Sequence, residues 1–296
     1  MSVESHAPES AGSIRTRLKD RIAAHPVAAF LILAIPPAWL AQGLAILVLQ
    51  DITPGLLAEL LVLLAAAVIV TAATDGRAGV RRLFSGVVRW RVGAGWYAMA
   101  LLALPVLTLL TAVATGTLRE PGSGWATTAG LYLLKAVVIG ALLGNVWEEL
   151  AWAGVVQRRL MDRKGMLAGS LLTAIPFALI HLPQAFAVRG FAATPWTDVA
   201  LSWGVLFGFA AVARYLLGMV FVGTGGSILI LGLLHGSMNA SQGMDTVDWW
   251  QFIPAVVVLT AAVAAYLALR SRTTGQGSSG PALRRRPPRP LRAANP

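Results

Sequence analysis

Residues 145–154 read Asn-Val-Trp-Glu-Glu-Leu-Ala-Trp-Ala-Gly, and this stretch places Glu148 and Glu149 inside the apolar segment from about 127 to 156. A charge at the centre of a bilayer costs at least a few kcal/mol, so a carboxylate is retained there with a partner or for a function. Adjacent residues of a helix point about 100° apart, so the two carboxylates cannot face the same point. The stretch predicts a membrane helix whose two glutamates have different roles.

The composition of the whole chain is that of a membrane protein. Of its 296 residues, 56% are hydrophobic and only 12% are charged, and the mean hydropathy is +0.69; these values exclude an ordinary soluble domain. The net charge of +11 reflects short basic clusters beside apolar segments, so it indicates membrane topology and a lipid bilayer as partner, with no nucleic acid. The absence of cysteine excludes disulfides and thiol nucleophiles.

Eight apolar segments are long enough for transmembrane helices, at about 27–49, 55–73, 94–115, 127–156, 166–182, 198–222, 227–243 and 249–269. Lys and Arg test this arrangement because they concentrate in cytoplasmic loops. They cluster in every second connection, in 1–24, 74–93, 157–165 and the tail after 270, whereas only Arg119 and Arg189 lie in the opposite loops. Lys135 and Arg214 fall inside the drawn spans. The sequence therefore predicts an all-α polytopic membrane protein with about eight transmembrane helices and both termini cytoplasmic.

Two later segments carry polar residues one helical turn apart. In residues 176–183, Pro-Phe-Ala-Leu-Ile-His-Leu-Pro, one helix face holds Phe177 and His181. In residues 233–241, Leu-Leu-His-Gly-Ser-Met-Asn-Ala-Ser, His235 and Asn239 share a face and could offer an imidazole nitrogen and an amide to one ligand. Each pattern alone is also explained by helix packing, and the glutamate pair by a solvated helix end. Together, these groups on three spans could converge and satisfy one another.

The ordered motifs Glu-Glu-x-x-Trp-x-Gly, Phe-x-x-x-His-Leu-Pro and His-x-x-x-Asn resemble the CPBP family of intramembrane proteases, which includes CAAX prenyl endopeptidases and the bacteriocin-processing (Abi) proteins. The resemblance covers about 127–245 and implies an all-helical core, often of eight helices, with a catalytic cavity that opens toward the cytoplasmic side. It assigns packing roles to Phe177 and Trp152. It implies functional places for Glu148, Glu149, His181, His235 and Asn239.

The first motif departs from the family at Ala153, where the family often has arginine. An ion pair that would orient a glutamate is therefore missing, and the role of Glu149 is in doubt. The nearest candidates to replace that arginine are Arg158 and Arg159.

The favoured hypothesis is peptide-bond hydrolysis by activated water. Glu148, helped by His181, would deprotonate the water, while His235 and Asn239 would donate hydrogen bonds to the oxyanion. In a zinc variant the metal ligands would be Glu148, His181 and His235, which leaves a position for water. Zinc and a metal-free mechanism stay equally open. The expected substrate is a membrane-associated peptide or protein, prenylated or not, and the expected location is the plasma membrane.

Two alternatives come from other functional classes. One is a catalytically silent membrane scaffold or immunity-type protein whose buried carboxylates brace helices. The other, less favoured, is a proton-coupled transporter in which Glu59 would join a relay, but the chain has no two matched halves of the transporter kind.

The resemblance and the composition together divide the chain into three parts. Residues 1–24 form a polar cytoplasmic segment, and residues 25–270 form a transmembrane helical domain with its catalytic core at about 127–245. Residues 271–296 are rich in Gly, Ser, Pro and Arg, a composition that predicts a disordered basic tail.

Overall fold

A computed structural model describes residues 11–276, and within this range the chain is helical with no strand. The helices are α1 (Ala11–Ala24), α2 (Pro26–Leu49), α3 (Thr53–Ser85), α4 (Ala94–Ala114), α5 (Trp125–Lys164), α6 (Met166–Ile180), α7 (Trp196–Gly223), α8 (Ile228–Gln242) and α9 (Phe252–Gln276). This confirms the predicted all-α class. The first residues of the polar N-terminal segment, 1–10, and most of the predicted disordered tail, 277–296, lie outside the described residues.

Seven helices of the described range are long and apolar enough to cross a membrane, so the chain is a polytopic membrane protein. The remaining predicted span, 227–243, is the seventh along the chain and corresponds to α8, which has only 15 residues. At 1.5 Å per residue it is roughly 22 Å long, shorter than the hydrocarbon core of a bilayer. Nearly all of its side chains are buried, so α8 lies within the bundle and is shielded from lipid by its neighbours.

Two helices extend beyond their predicted spans and carry basic residues with them. Helix α3 continues to Ser85 through a break at Gly76, whose φ of 64° is readily adopted only by glycine. Helix α5 continues to Lys164. The two extensions meet where Arg159 donates to Asp75 at 2.9 Å. The start of α8 lies beside them, because Ile228 N donates to the carbonyl of Gly86 at 2.9 Å. We call this the basic end of the bundle.

Close packing of α8 against α5 brings the His-x-x-x-Asn motif of α8 close to the glutamates of α5. A Cβ atom at Gly236 would lie 2.2 Å from the carbonyl oxygen of Ala136, and one at Gly232 would lie 2.4 Å from the Val146 side chain. Only glycine permits this approach. Tyr132 and Ser237 add a hydroxyl to hydroxyl hydrogen bond of 2.7 Å between the same helices. The small residues of α8 thus form a packing seam that also positions His235 and Asn239.

Candidate active site

Polar residues from each of the three motifs, but not Glu149, line one cavity of about 340 Å³. It lies at the end of the bundle away from the basic end, near the start of α3, the end of α6 and the last turns of α8. Its lining includes Glu148, His181, His235 and Asn239, which were predicted, together with Glu59, Asn145 and Gln184. We call this cavity the polar cavity.

The two glutamates lie on one α-helical turn of α5, Val146–Ala151, between π-helical segments Leu134–Asn145 and Trp152–Gln157. Wide π-turns inside α-helices are frequent at functional sites because they rotate the side chains that follow them. Glu148 lines the polar cavity. Glu149 is fully buried with 0% of its surface exposed. The structure therefore separates the two carboxylates, as helical geometry predicts.

Two side chains from other helices hold Glu149: the arginine Arg214 and the imidazole of His235. Both of its oxygens accept from Arg214 of α7, at 2.8 and 2.9 Å. Its Oε1 also lies 2.9 Å from Nδ1 of His235. Because a carboxylate paired with arginine only accepts, Nδ1 of His235 must carry a hydrogen, and Nε2 is left for other contacts. Glu149 therefore orients His235.

Arg214 supplies the ion pair that Ala153 cannot. Its side chain is fully buried, it also donates to Gln157 Oε1, and its guanidinium lies 5.2 Å from the ring centre of Phe177. The expectation that Arg158 or Arg159 replaces the missing arginine is wrong, because the cation that pairs with Glu149 is Arg214, and Arg159 pairs with Asp75 at the basic end. The sequence contained a signal for this role, since an arginine inside an apolar span needs a carboxylate partner.

His181 follows the last residue of α6, where Leu182 and Pro183 end the helix. The final carbonyls of a helix lack partners within it, and here α2 provides them: Trp39 Nε1 donates to Leu179 O at 2.8 Å, and Gln42 Nε2 donates to Ile180 O at 3.1 Å. These contacts fix the position of His181. Its Nδ1 lies 2.6 Å from the carbonyl oxygen of Phe177.

Phe177 packs at the centre of the aromatic residues behind the cavity. Its ring centroid lies 5.7 Å from that of Trp152, 4.7 Å from that of His181 and 6.1 Å from that of His235. Both Phe177 and Trp152 are buried. They therefore separate the polar cavity from the rest of the core and restrict the two imidazole rings.

Glu148 is only partly satisfied by its neighbours. Its Oε2 accepts from Asn145 Nδ2 at 3.1 Å, and the Oδ1 of Asn145 accepts from Asn239 Nδ2 at 3.3 Å. Its Oε1 is buried, has no hydrogen-bond partner, and lies 3.6 Å from Nε2 of His181. Asn145, which sequence reasoning gave no role, thus connects Glu148 to Asn239.

The residues that could hold a metal ion differ from the predicted set. Among the described residues, Glu59, Glu148 and His181 each offer a ligand atom within 4.8 Å of the others. His235 instead engages Glu149 through Nδ1, and this atom lies 3.9 Å from Glu148 Oε2. Two carboxylates and an imidazole suit a catalytic zinc ion or a related divalent cation. The set of Glu148, His181 and His235 stays a prediction.

Comparison with protein families matches residues 129–241 to the Rce1-like family of type II CAAX prenyl endopeptidases. Comparison with curated proteins gives no significant match. The matched range contains all three motifs and the site residues carried by α5, α6 and α8, whereas Glu59 and Gln42 lie outside it. The match supports the resemblance that the motifs indicated: over residues 129–241 the chain is similar to type II CAAX prenyl endopeptidases, which are intramembrane proteases of the CPBP family.

Proposed function

We propose that the protein is an intramembrane endopeptidase that hydrolyses a peptide bond of a membrane-associated substrate. One observation carries the proposal: Glu148 Oε1 is buried, has no hydrogen-bond partner and faces a cavity shared with His181, His235 and Asn239. An unsatisfied carboxylate in an apolar bundle is costly unless it serves a reaction.

Glu148 is the proposed general base. The 3.6 Å between its Oε1 and His181 Nε2 is too long for a good hydrogen bond, but a water molecule beside both atoms could bond to each. Phe177 O accepts from His181 Nδ1, so Nε2 of the neutral ring is an acceptor for that water. Transfer of a water proton to Glu148 would let the oxygen attack the peptide carbonyl carbon.

The resulting oxyanion needs donors. Asn239 can supply its amide, because its bond to Asn145 is long at 3.3 Å and is readily exchanged. His235 can donate from Nε2 when its ring is doubly protonated, a form that the adjacent Glu149 carboxylate would stabilise. Collapse of the tetrahedral intermediate then breaks the C–N bond, and Glu148 returns its proton to the leaving amine.

Cleavage of a panel of membrane-anchored peptides, with and without a prenyl group, by protein purified in detergent tests the proposal. We expect wild-type protein to cleave at least one peptide class, and Glu148→Gln and His235→Ala to lose that activity while they remain folded. A wild type that cleaves nothing in the panel would instead support a silent scaffold, and variants that keep full activity would show that the reaction does not depend on Glu148 and His235. The prenylated and unprenylated arms of the panel identify the substrate class, and fractionation of cells tests the expected plasma-membrane location.

A further inference from the structure

Contacts between helices show which connections lie at the basic end of the bundle. The residue before α8 is held by the segment after α3, because Ser227 Oγ donates to Arg89 O at 2.7 Å. The end of α9 lies beside the same segment, since Arg91 and Arg270 line one pocket. Helix α2 runs antiparallel to α3 across a connection of three residues, 50–52, so the start of α2 lies at the basic end as well.

This end carries most of the cations of the described residues. Those of α3, α5 and the segment before α4 are Arg77, Arg81, Arg82, Arg89, Arg91, Arg158, Arg159, Arg163 and Lys164. Helix α1, which directly precedes α2, adds Arg17, Lys19 and Arg21, and the last turns of α9 add Arg270 and Arg272. Because Lys and Arg concentrate in cytoplasmic loops, the basic end has the composition of a cytoplasmic surface.

The connections at the opposite end also contact one another. Arg119, after α4, donates from its backbone N to Thr246 O at 3.0 Å, and Thr246 lies between α8 and α9. The ring of Phe186, after α6, lies 6.0 Å from that of Trp196, at the start of α7. We call this the cavity end, and it comprises the connections 50–52, 115–124, 181–195 and 243–251.

Cations are few at the cavity end. Among the described residues, its connections carry Arg119, which pairs with Asp248 at 2.7 Å, and Arg189, which pairs with Asp198 at 2.8 Å. The next cation is Lys135 in α5, a long side chain of the kind that extends toward the interface. The same connections hold the further acidic residues Asp51, Glu120 and Asp245. A shortage of Lys and Arg is typical of extracytoplasmic loops.

The polar cavity lies in the half of the membrane nearer the cavity end. Glu59 is six residues after Thr53, roughly 9 Å from the start of α3. His181 is 15 residues after Met166, so it lies roughly 22 Å from the basic end of α6. Gln42, which donates to Glu59, is roughly 24 Å from the start of α2. Because the hydrocarbon core of a bilayer is about 30 Å thick, three helices agree on this depth.

The exposed residues of the cavity lining lie on the same side. Gln184 is exposed and belongs to the connection after α6, and Asn239 is exposed in the last turn of α8. In the opposite direction, Phe177 of α6 is buried, and so are both members of the Glu149–Arg214 pair. The accessible part of the cavity therefore faces the cavity end.

We infer that the polar cavity opens toward the extracytoplasmic side of the membrane. The inference combines the excess of Lys and Arg in cytoplasmic loops with the position of the cavity at the end that lacks them. The resemblance implied a cytoplasmic opening, and the charge distribution argues for the opposite.

One consequence rests on the proposed protease function, whereas the side of the membrane does not. If the protein is a protease, its substrates are peptide segments exposed on, or already translocated to, the outer side of the membrane. A segment anchored at the cytoplasmic surface would have to reach roughly 22 Å into the bundle, past the buried side chains of α5, α6 and α7.

The absence of cysteine makes the test of the side direct. Single-cysteine variants Ser123→Cys, in the connection before α5, and Ser85→Cys, at the end of α3, form a matched pair at exposed positions of the two ends, and Gln184→Cys reports the cavity lining. A membrane-impermeant maleimide added to intact cells should label Ser123→Cys and Gln184→Cys at least tenfold more than Ser85→Cys. In inside-out membrane vesicles the preference should reverse.

The side is read for each variant from the ratio of its labelling in the two preparations, so a difference in reactivity between the cysteines does not decide the outcome. Preferential labelling of Ser85→Cys in intact cells, or equal labelling of the pair in both preparations, would overturn the inference. No enzymatic activity is needed, so the outcome is independent of the protease proposal.

Two fusion substrates test the consequence for cleavage. Each carries the peptide that the purified protein cleaves best, placed beside a transmembrane anchor on the outer side in one fusion and on the cytoplasmic side in the other. Wild-type protein should cleave the outer fusion alone, and Glu148→Gln should cleave neither. Cleavage of the cytoplasmic fusion alone would overturn the inferred side. Outward labelling without cleavage of either fusion would leave the orientation standing and count against the protease proposal.

Discussion

Glu148 and Glu149 are neighbours in the chain, yet they meet opposite surroundings. Glu149 faces the core, where Arg214 and His235 satisfy its charge. Glu148 faces the polar cavity, where the side-chain amide of Asn145 is its one hydrogen-bond donor among the described residues and Oε1 has no partner. A carboxylate compensated by protein groups holds its neighbours in place, whereas one left partly unsatisfied is available to a substrate, a water or an ion. The comparison predicts that one glutamate governs activity and the other governs stability.

The largest expected effect is on activity, in Glu148→Gln. The amide keeps the shape of the side chain but cannot accept a proton, so turnover should fall about a thousandfold, within the range that a general base contributes. The melting temperature should stay the same or rise slightly, because no protein cation loses its partner. Initial rates on the best peptide of the panel, together with thermal melting in detergent, measure both. A large loss of stability would mean that Glu148 is a structural residue like Glu149.

Arg214→Met should have its main effect on the stability of the fold, in contrast with Glu148→Gln, whose main effect is on activity. Removal of one partner from a buried ion pair leaves the other charge uncompensated and typically costs about 3–5 kcal/mol, here at Glu149, which is fully buried. We expect a large drop in melting temperature and in the yield of folded protein. Arg159→Met is the matched control, since its partly exposed pair with Asp75 is of a kind that contributes about 0–1 kcal/mol.

The double variant Glu149→Gln/Arg214→Met separates charge from packing. Replacement of both members of a buried pair is often nearly neutral, so the double variant should recover most of the stability lost in Arg214→Met. A double variant no more stable than the single would show that Arg214 acts through its contacts with Gln157 and Phe177 instead.

The two glutamates also show what could be predicted from sequence. Apolar length, charge clustering and the three motifs gave the all-α class, the spans and the five candidate residues, because each of these follows from local spacing. Asn145, Arg214 and Glu59 were missed as site residues because their roles depend on contacts between helices. Arg214, for example, lies 65 positions from Glu149. The short α8 was read as a full span because apolarity does not distinguish a lipid-facing helix from one enclosed by protein.

Asn239→Ala sharpens the assignment on the cavity side. Loss of one oxyanion donor typically raises the barrier by about 3 kcal/mol, so turnover should fall on the order of a hundredfold. Its effect on KM and on the melting temperature should be small, because the bond to Asn145 is long at 3.3 Å. A rise in KM with unchanged kcat would instead make Asn239 a substrate-binding residue.

The smallest expected effect tests whether Arg214 has taken over the role of the arginine that the family often carries at position 153. Ala153 lies four residues after Glu149, on the same face of the helix. In the wild-type background, Ala153→Arg should destabilise the folded protein, because position 153 is buried and Glu149 already has a cationic partner. In the Arg214→Met background the same change should recover part of the lost stability, roughly 1–2 kcal/mol out of the cost of the unpaired charge. Thermal melting of the four proteins gives the coupling between the two positions directly. Additive destabilisation would show that the two arginines are not equivalent, and that Glu149 is oriented from α7 by a contact specific to this chain.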